Sequence, residues 1–465
     1  MTERDGLVRR VFHLGVSRVA ATASRAGLFL ALGLALSAED YGVTATLLSL
    51  GTLAAMLLDF GVARFLLRAS ALDADATRTA LGGVLVARSV LVLPVLALYL
   101  GVARGVLGPG LDIQLAVSFG VYALSLEVAA AVYATLQGER RTTLQGVTSL
   151  VLHGFELGLV LGWFLTDLRG ALAPLVTGLA LLRGVFTLGL VAHVLRRPDT
   201  PLQFRATLEH IRPHRRAILA FAVLGAAQLA YAQADVLLLE WLTRTEEVGR
   251  YWAAYRVVIA ALIPVDLLIA AALPRVARAR DEAGRVFRGL HGFGTAWAAP
   301  VLVYLALQPD LVVTHLLGDD FASVGPLMSL LAGALAMAYL PPFGAPLSVL
   351  CRPAPLALIA TVAAVVNVGL NLVWIPEAGA LGAAWATLAA YAVLKAGFVV
   401  MFRIEGIPIL TRELLPGIGV ALAWAALVSF TGLDGVGALA ALVAGVLGVV
   451  ILGGRRWVAQ LEGAT

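Results

Sequence analysis

Apolar residues fall along this chain in blocks of about 20 separated by short polar breaks, the length an α-helix needs to cross about 30 Å of hydrocarbon. Read this way, the sequence predicts fourteen spans, at 15–36, 42–66, 79–100, 113–137, 144–166, 171–195, 217–242, 249–273, 286–307, 324–346, 355–374, 380–402, 414–430 and 435–453. The long polar interruption is 196–216, RRPDTPLQFRATLEHIRPHRR, with six arginines in 21 residues. An arginine at the bilayer centre costs roughly 3 kcal/mol even on a lenient insertion scale, so this connector belongs in water at an anionic membrane face.

The sequence on either side of the connector follows one plan. Residues 39–68 lie without gaps on 246–275, pairing Glu39 with Glu246, Gly42 with Gly249, Asp59 with Asp266 and Arg68 with Arg275. A second ungapped match pairs Gly170 with Gly382 and Arg183 with Lys395. Alanine and leucine bias produces weak matches readily; paired charges inside apolar blocks are harder to produce that way. The expected fold class is therefore all-α, a polytopic membrane protein of about 14 transmembrane helices. Two six-helix lobes are related as parallel repeats, with two C-terminal helices added. The lobes are expected at 1–195 and 217–405, joined by the connector 196–216, with spans 13 and 14 and the tail in 406–465.

Composition agrees with this pattern. Apolar residues make up 60% of the 465 positions and mean hydropathy is +0.92, against about 45–50% apolar residues in soluble domains. The 48 glycines suit close helix packing. The net charge of +5 would invite a nucleic-acid reading in a soluble protein, but here the arginines mark topology. Loops on the N-terminal side of the membrane hold 24 arginines and those on the other side four. Both termini are accordingly expected in the cytoplasm of a multi-pass protein of the cell (inner) membrane, and no nucleic-acid partner is expected. The opposite face has no loop large enough for a catalytic domain. A single cysteine, Cys351, excludes an internal disulfide and a cysteine metal cluster. No Walker motif and no HExxH occurs, so neither catalysis, a metal nor a cofactor is expected, and no cleavable signal peptide is expected.

Ionisable residues inside spans are the candidates for function, because lipid offers them no partner and they face protein or a water-filled cavity. More than two residues from a span end, the bases are Arg18, Arg25, Arg88, Arg183, Arg256 and Lys395; the acids are Asp59, Glu127, Glu156, Asp235 and Asp266. Arg18 and Arg25 are seven apart, hence on one helical face, and with Arg88 and Arg183 they sketch a cationic path. For Arg88, pairing with Glu127 or Glu156 is the structural alternative. His153 and Glu156, three apart on one helix, share a face; they could couple transport to protons or form a structural hydrogen bond. Asp59 and Asp266, at matching positions near span ends, could latch the cytoplasmic side, or sit there for solvation.

Three stretches in order, DVLLLEWLTRTEEVGRYWAAYRV (235–257), LLGDDFASVGPLMSLLA (316–332) and NVGLNLVWIPEAGALGAAWATLAAY (367–391), resemble the polysaccharide-transporter branch of the multidrug/oligosaccharidyl-lipid/polysaccharide flippase superfamily. The resemblance spans roughly 10–405. It implies two six-helix lobes around a central cavity, and a flippase moving undecaprenyl-pyrophosphate-linked oligosaccharide units to the outer leaflet by alternating access. The sister branch that flips the peptidoglycan precursor is similar in carrying arginines on its first and eighth spans, where this chain has Arg18, Arg25 and Arg256. The six in-span bases then become candidates for the cargo pyrophosphate, and Asp59, Asp266, His153 and Glu156 candidates for coupling or gating. The expected partners are the lipid-linked oligosaccharide, the bilayer, and a polysaccharide polymerase and glycosyltransferases acting beside it. An exporter of drugs or cations is the alternative within the superfamily. It would want a net acidic or aromatic cavity, whereas six in-span bases face five acids here. A membrane glycan polymerase or ligase would need a large outer loop that this chain lacks.

Overall fold

A computed structural model describes residues 20–462 except 22–23, 73, 139–141, 167–170, 197–203, 279–282, 318, 341–352, 408–411 and 432–434. Among the described residues every regular element is helical. Eleven helices are long and apolar enough to cross a membrane, or twelve when a bent pair is counted as one span. This makes the chain a multi-pass membrane protein, and the expected count of fourteen differs from it at two places. The first expected span is represented by a shorter apolar helix, Ser24–Ala35. The expected spans 355–374 and 380–402 run together in one helical stretch, Pro353–Ile404.

That stretch is broken by its sequence. Gly379 has φ 54° and ψ −131°, backbone that L side chains rarely adopt. A Cβ built on Gly382 would collide with the carbonyl of Trp374, although residues eight apart in a straight helix are about 12 Å apart along its axis. The chain therefore doubles back at the glycine of WIPEAG. The restarted helix begins with an N–H that has no helical acceptor, and the carboxylate of Glu247 takes it, at 3.2 Å from the nitrogen of Ala380.

Two compact units make up the chain, Met1–Leu36 with Asp40–Trp241, and Ser37–Glu39 with Leu242–Thr465. The first contains α1 (Ser24–Ala35), α2 (Ala38–Asp59), α3 (Val62–Leu72), α4 (Ala74–Leu107), α5 (Ile113–Gly138), α6 (Thr142–Leu165), α7 (Leu172–Leu195), the short α8 (Phe204–Ile211) and α9 (Arg215–Leu242). Its core interleaves Leu47, Leu50 and Leu58 of α2 with Tyr99 of α4 and with Leu115 and Phe119 of α5. Small residues let α2 and α5 meet closely, a Cβ on Gly51 lying 2.9 Å from that of Ala123. Part of the connector is helical: α8 lies on α4, where the hydroxyl of Thr207 donates to the carbonyl of Ala80 at 3.2 Å.

The second unit contains α10 (Thr245–Ala261), α11 (Ile263–Arg278), α12 (Ala283–Leu307), α13 (Pro309–Leu316), α14 (Gly325–Tyr339), α15 (Pro353–Ile404), α16 (Leu415–Thr431) and α17 (Gly435–Glu462). Helices α10 and α11 form the bent pair, turning by 52° at Leu262. Tyrosine hydroxyls tie α10 to α15, with Tyr251 3.0 Å from Thr387 and Tyr255 3.2 Å from Tyr391. The last two helices pack on α12. There a Cβ on Gly417 would collide with the backbone of Thr295, and Trp457 lies edge-on to Phe293.

Candidate functional site

The polar side chains of the first unit gather in two places, and the first forms around a break in a span. Helix α2 ends at Asp59, and Phe60 and Gly61 follow at φ 43° and 79°. A Cβ on Gly61 would stand 2.7 Å from the nitrogen of Ala222 and 2.8 Å from the carbonyl of Ile218, so a glycine lets α9 approach this turn. The carboxylate of Asp59 then has three duties. It accepts the N–H groups of Gly61 at 3.1 Å and Ala63 at 2.8 Å, capping α3, and it pairs with Nη2 of Arg88 at 2.5 Å. Arg88, only 2% exposed, also donates Nη1 to the carbonyl of Glu127. Its charge is neutralised inside the protein, by Asp59 rather than by either side chain considered from the sequence.

Beside this pair lies a cavity of about 280 Å³ whose lining includes Thr52, Asp59, Arg64, Glu127, Phe221 and Gln228. Arg64, exposed on α3, donates Nη2 to the side-chain carbonyl of Gln228 on α9 at 2.8 Å. Thr52 donates its hydroxyl to the carbonyl of Leu48 at 2.7 Å. The carboxylate of Glu127 has no hydrogen bond or ion pair among the described residues.

The second gathering centres on Glu156 of α6, 2% exposed. One of its oxygens pairs with Arg183 of α7. The other lies 2.7 Å from Nδ1 of His153 and 3.5 Å from the hydroxyl of Ser24 on α1. Arg183 also sits over the ring of Tyr122 on α5, 4.6 Å from its centroid, a favourable place for a cation. One buried carboxylate thus joins α1, α6 and α7, and through Arg183 the cluster reaches α5. Charge-assisted hydrogen bonds of this kind are roughly twice as strong as neutral ones.

Of the six bases expected as candidates for the cargo pyrophosphate, Arg88 and Arg183 are buried and paired with carboxylates. Arg25, beside Ser24, is exposed, and its Nε donates to the carbonyl of Ala21, four residues earlier, at 3.3 Å. Arg18 lies outside the described residues. In the second unit Arg256 of α10 is half-buried over the ring of Trp252, 4.4 Å from the centroid, and Lys395 is half-buried on α15. Asp266, exposed in the first turn of α11, accepts the hydroxyl of Tyr339 at 3.0 and 3.1 Å. No group of three or more metal-ligating side chains occurs among the described residues.

Sequence reasoning missed Arg64, Gln228, Thr52, Ser24 and Tyr122. Arg64 lies two residues from the expected end of the span 42–66 and so drew no role, because the break that ends α2 is invisible to hydropathy. Gln228 was legible as a polar residue in the apolar run GAAQLAYAQAD, but its partner was not.

The protein family described as "Polysaccharide biosynthesis protein" matches residues 7–280. No curated protein matches the sequence significantly. Among solved structures, the lipid II flippase MurJ in an inward closed conformation is similar at 12% identity and a TM-score of 0.67, over 97% of this chain and 99% of that one. An inward-facing MATE family multidrug resistance transporter of the MOP superfamily is similar at 15% identity and a TM-score of 0.61, over 85% and 98%. A MOP superfamily transporter from Pyrococcus furiosus is similar at 14% identity and a TM-score of 0.52, over 86% and 95%. The fold is thus that of the MurJ and MATE transporters, and the chain belongs to the polysaccharide biosynthesis protein family.

Proposed function

We propose that the protein is a flippase that carries undecaprenyl-pyrophosphate-linked oligosaccharide units from the cytoplasmic to the outer leaflet of the inner membrane by alternating access. It would thereby supply surface polysaccharide assembly: O-antigen, capsule or exopolysaccharide. The observation that carries this reading is the division of labour among the in-span arginines. Arg88 and Arg183 are bound to Asp59 and Glu156, while Arg25 is exposed and, among the described residues, donates only to the carbonyl of Ala21. An arginine in that state has donors to give to a pyrophosphate, which two parallel N–H groups can grip at once. Arg18 and Arg256 are assigned to the same cargo. Asp59 and Glu156 fix the frame, and Lys395 and Asp266 belong to the second unit's share of the pathway. Transport is the whole activity in this reading; the polymerase and glycosyltransferases that act before and after it are separate partners. Both termini lie in the cytoplasm, in keeping with the arginine-rich loops.

Export of a drug or cation is the second reading, favoured by the likeness to MATE transporters. Deletion of the gene separates the two. Under the flippase reading, surface polysaccharide disappears while undecaprenyl-pyrophosphate-linked units accumulate in the cytoplasmic leaflet. Unchanged polysaccharide together with new sensitivity to cationic drugs would reject it in favour of the exporter.

A further inference from the structure

The cavity between α2, α3, α5 and α9 holds polar groups that the protein's own contacts leave unused. Asp59 is committed to two backbone N–H groups and to Arg88, so it acts as wall. Glu127 contributes a carboxylate with no hydrogen-bond or ion-pair partner among the described residues. Gln228 accepts from Arg64 through its carbonyl at 2.8 Å, which leaves its amide N–H groups to donate. The hydroxyl hydrogen of Thr52 is committed to Leu48, leaving its oxygen to accept. Met56, Phe221 and Leu229 complete an apolar side.

This set is mixed in a telling way. Two acids, Asp59 and Glu127, and one base, Arg64, line the cavity, and Asp59 is neutralised by Arg88 behind it, so Glu127 and Arg64 offset each other and little net charge remains to draw in an organic cation. Phe221 alone makes no aromatic cage. Carboxylate and hydroxyl acceptors, amide donors and apolar side chains in one lining are what a neutral, polyhydroxylated ring requires. The volume of about 280 Å³ lies just below the roughly 300–1,000 Å³ of small-molecule sites, the scale of a single ring rather than a chain.

We infer that this cavity is a monosaccharide subsite, in which Glu127 and Gln228 hydrogen-bond the hydroxyl groups of one sugar of the lipid-linked cargo. The inference rests on the flippase reading, and its test separates the two. Purified full-length protein in lipid nanodiscs is titrated with undecaprenyl pyrophosphate bearing no sugar, with the same lipid bearing one hexose, one N-acetylhexosamine or one 6-deoxyhexose, and with tetraphenylphosphonium. At least one sugar-bearing lipid is expected to bind about tenfold more tightly than the bare lipid, the size of one hydrogen bond to a charged group. Glu127→Gln and, separately, Gln228→Leu should bring that lipid down to near the bare lipid's affinity. If the preference survives both substitutions, or if the bare lipid binds and no sugar strengthens it, the subsite is wrong and the flippase reading stands. If tetraphenylphosphonium binding is lost in Glu127→Gln and sugar preference is not, the cavity is a cation site. If no lipid binds, both readings fall.

Discussion

Arg25→Ala is expected to reduce polysaccharide export by about one to two decades while leaving protein level and membrane insertion intact. The magnitude follows from removing a charged hydrogen bond in a desolvated site, roughly 1.5–3 kcal/mol. Among the described residues the side chain donates only to the carbonyl of Ala21, so its loss strands no buried carboxylate there. Arg25→Lys should restore part of the activity, because a lysine keeps the charge but not the planar fork. Export and immunoblotted protein level, measured side by side, decide the matter. A parallel fall of both would make Arg25 a packing residue, and normal export with normal level would remove it from the cargo site.

Arg88→Met is expected to do the opposite, lowering stability before it touches cargo. Arg88 and Asp59 are 3% and 19% exposed at the side chain, and removing one member of a buried pair costs about 3–5 kcal/mol because the other is left uncompensated. Asp59 would keep its capping bonds to Gly61 and Ala63 but lose its counter-charge. The melting temperature of the purified protein should drop sharply, and the double substitution Asp59→Asn with Arg88→Met should recover most of the loss, since it removes both charges and keeps a side chain able to cap. A single substitution that melts like the wild type would show that the pair does not hold the α2–α3 turn. The contrast with Arg25 matters, since both are arginines inside predicted spans and only their partners tell them apart.

Those partners mark where the sequence stops being informative. Span positions were legible because lipid imposes one length and one polarity on every crossing helix, and most of the expected spans coincide with observed helices. The turn at Gly379 was legible too, as a short polar break in an apolar run. Pairings were not, since contact between Asp59 and Arg88 or between Glu156 and Arg183 depends on helix rotation and crossing, which hydropathy does not encode. Pairing by repeat was also an incomplete guide. Asp59 closes α2 and caps α3 across a left-handed turn, whereas the second unit bends at Leu262, four residues before Asp266, and there the aspartate receives a tyrosine hydroxyl. The His153–Glu156 contact was legible because it is local: three residues along one helix set it.

The most direct measurement of the central claim is transport by the purified protein alone. In proteoliposomes with undecaprenyl-pyrophosphate-linked oligosaccharide placed in one leaflet, a membrane-impermeant periodate pulse on the other side reads the sugar that has crossed. The account predicts protein-dependent crossing that Arg25→Ala largely abolishes. Sugar that stays protected in wild-type proteoliposomes, as in protein-free vesicles, would contradict it.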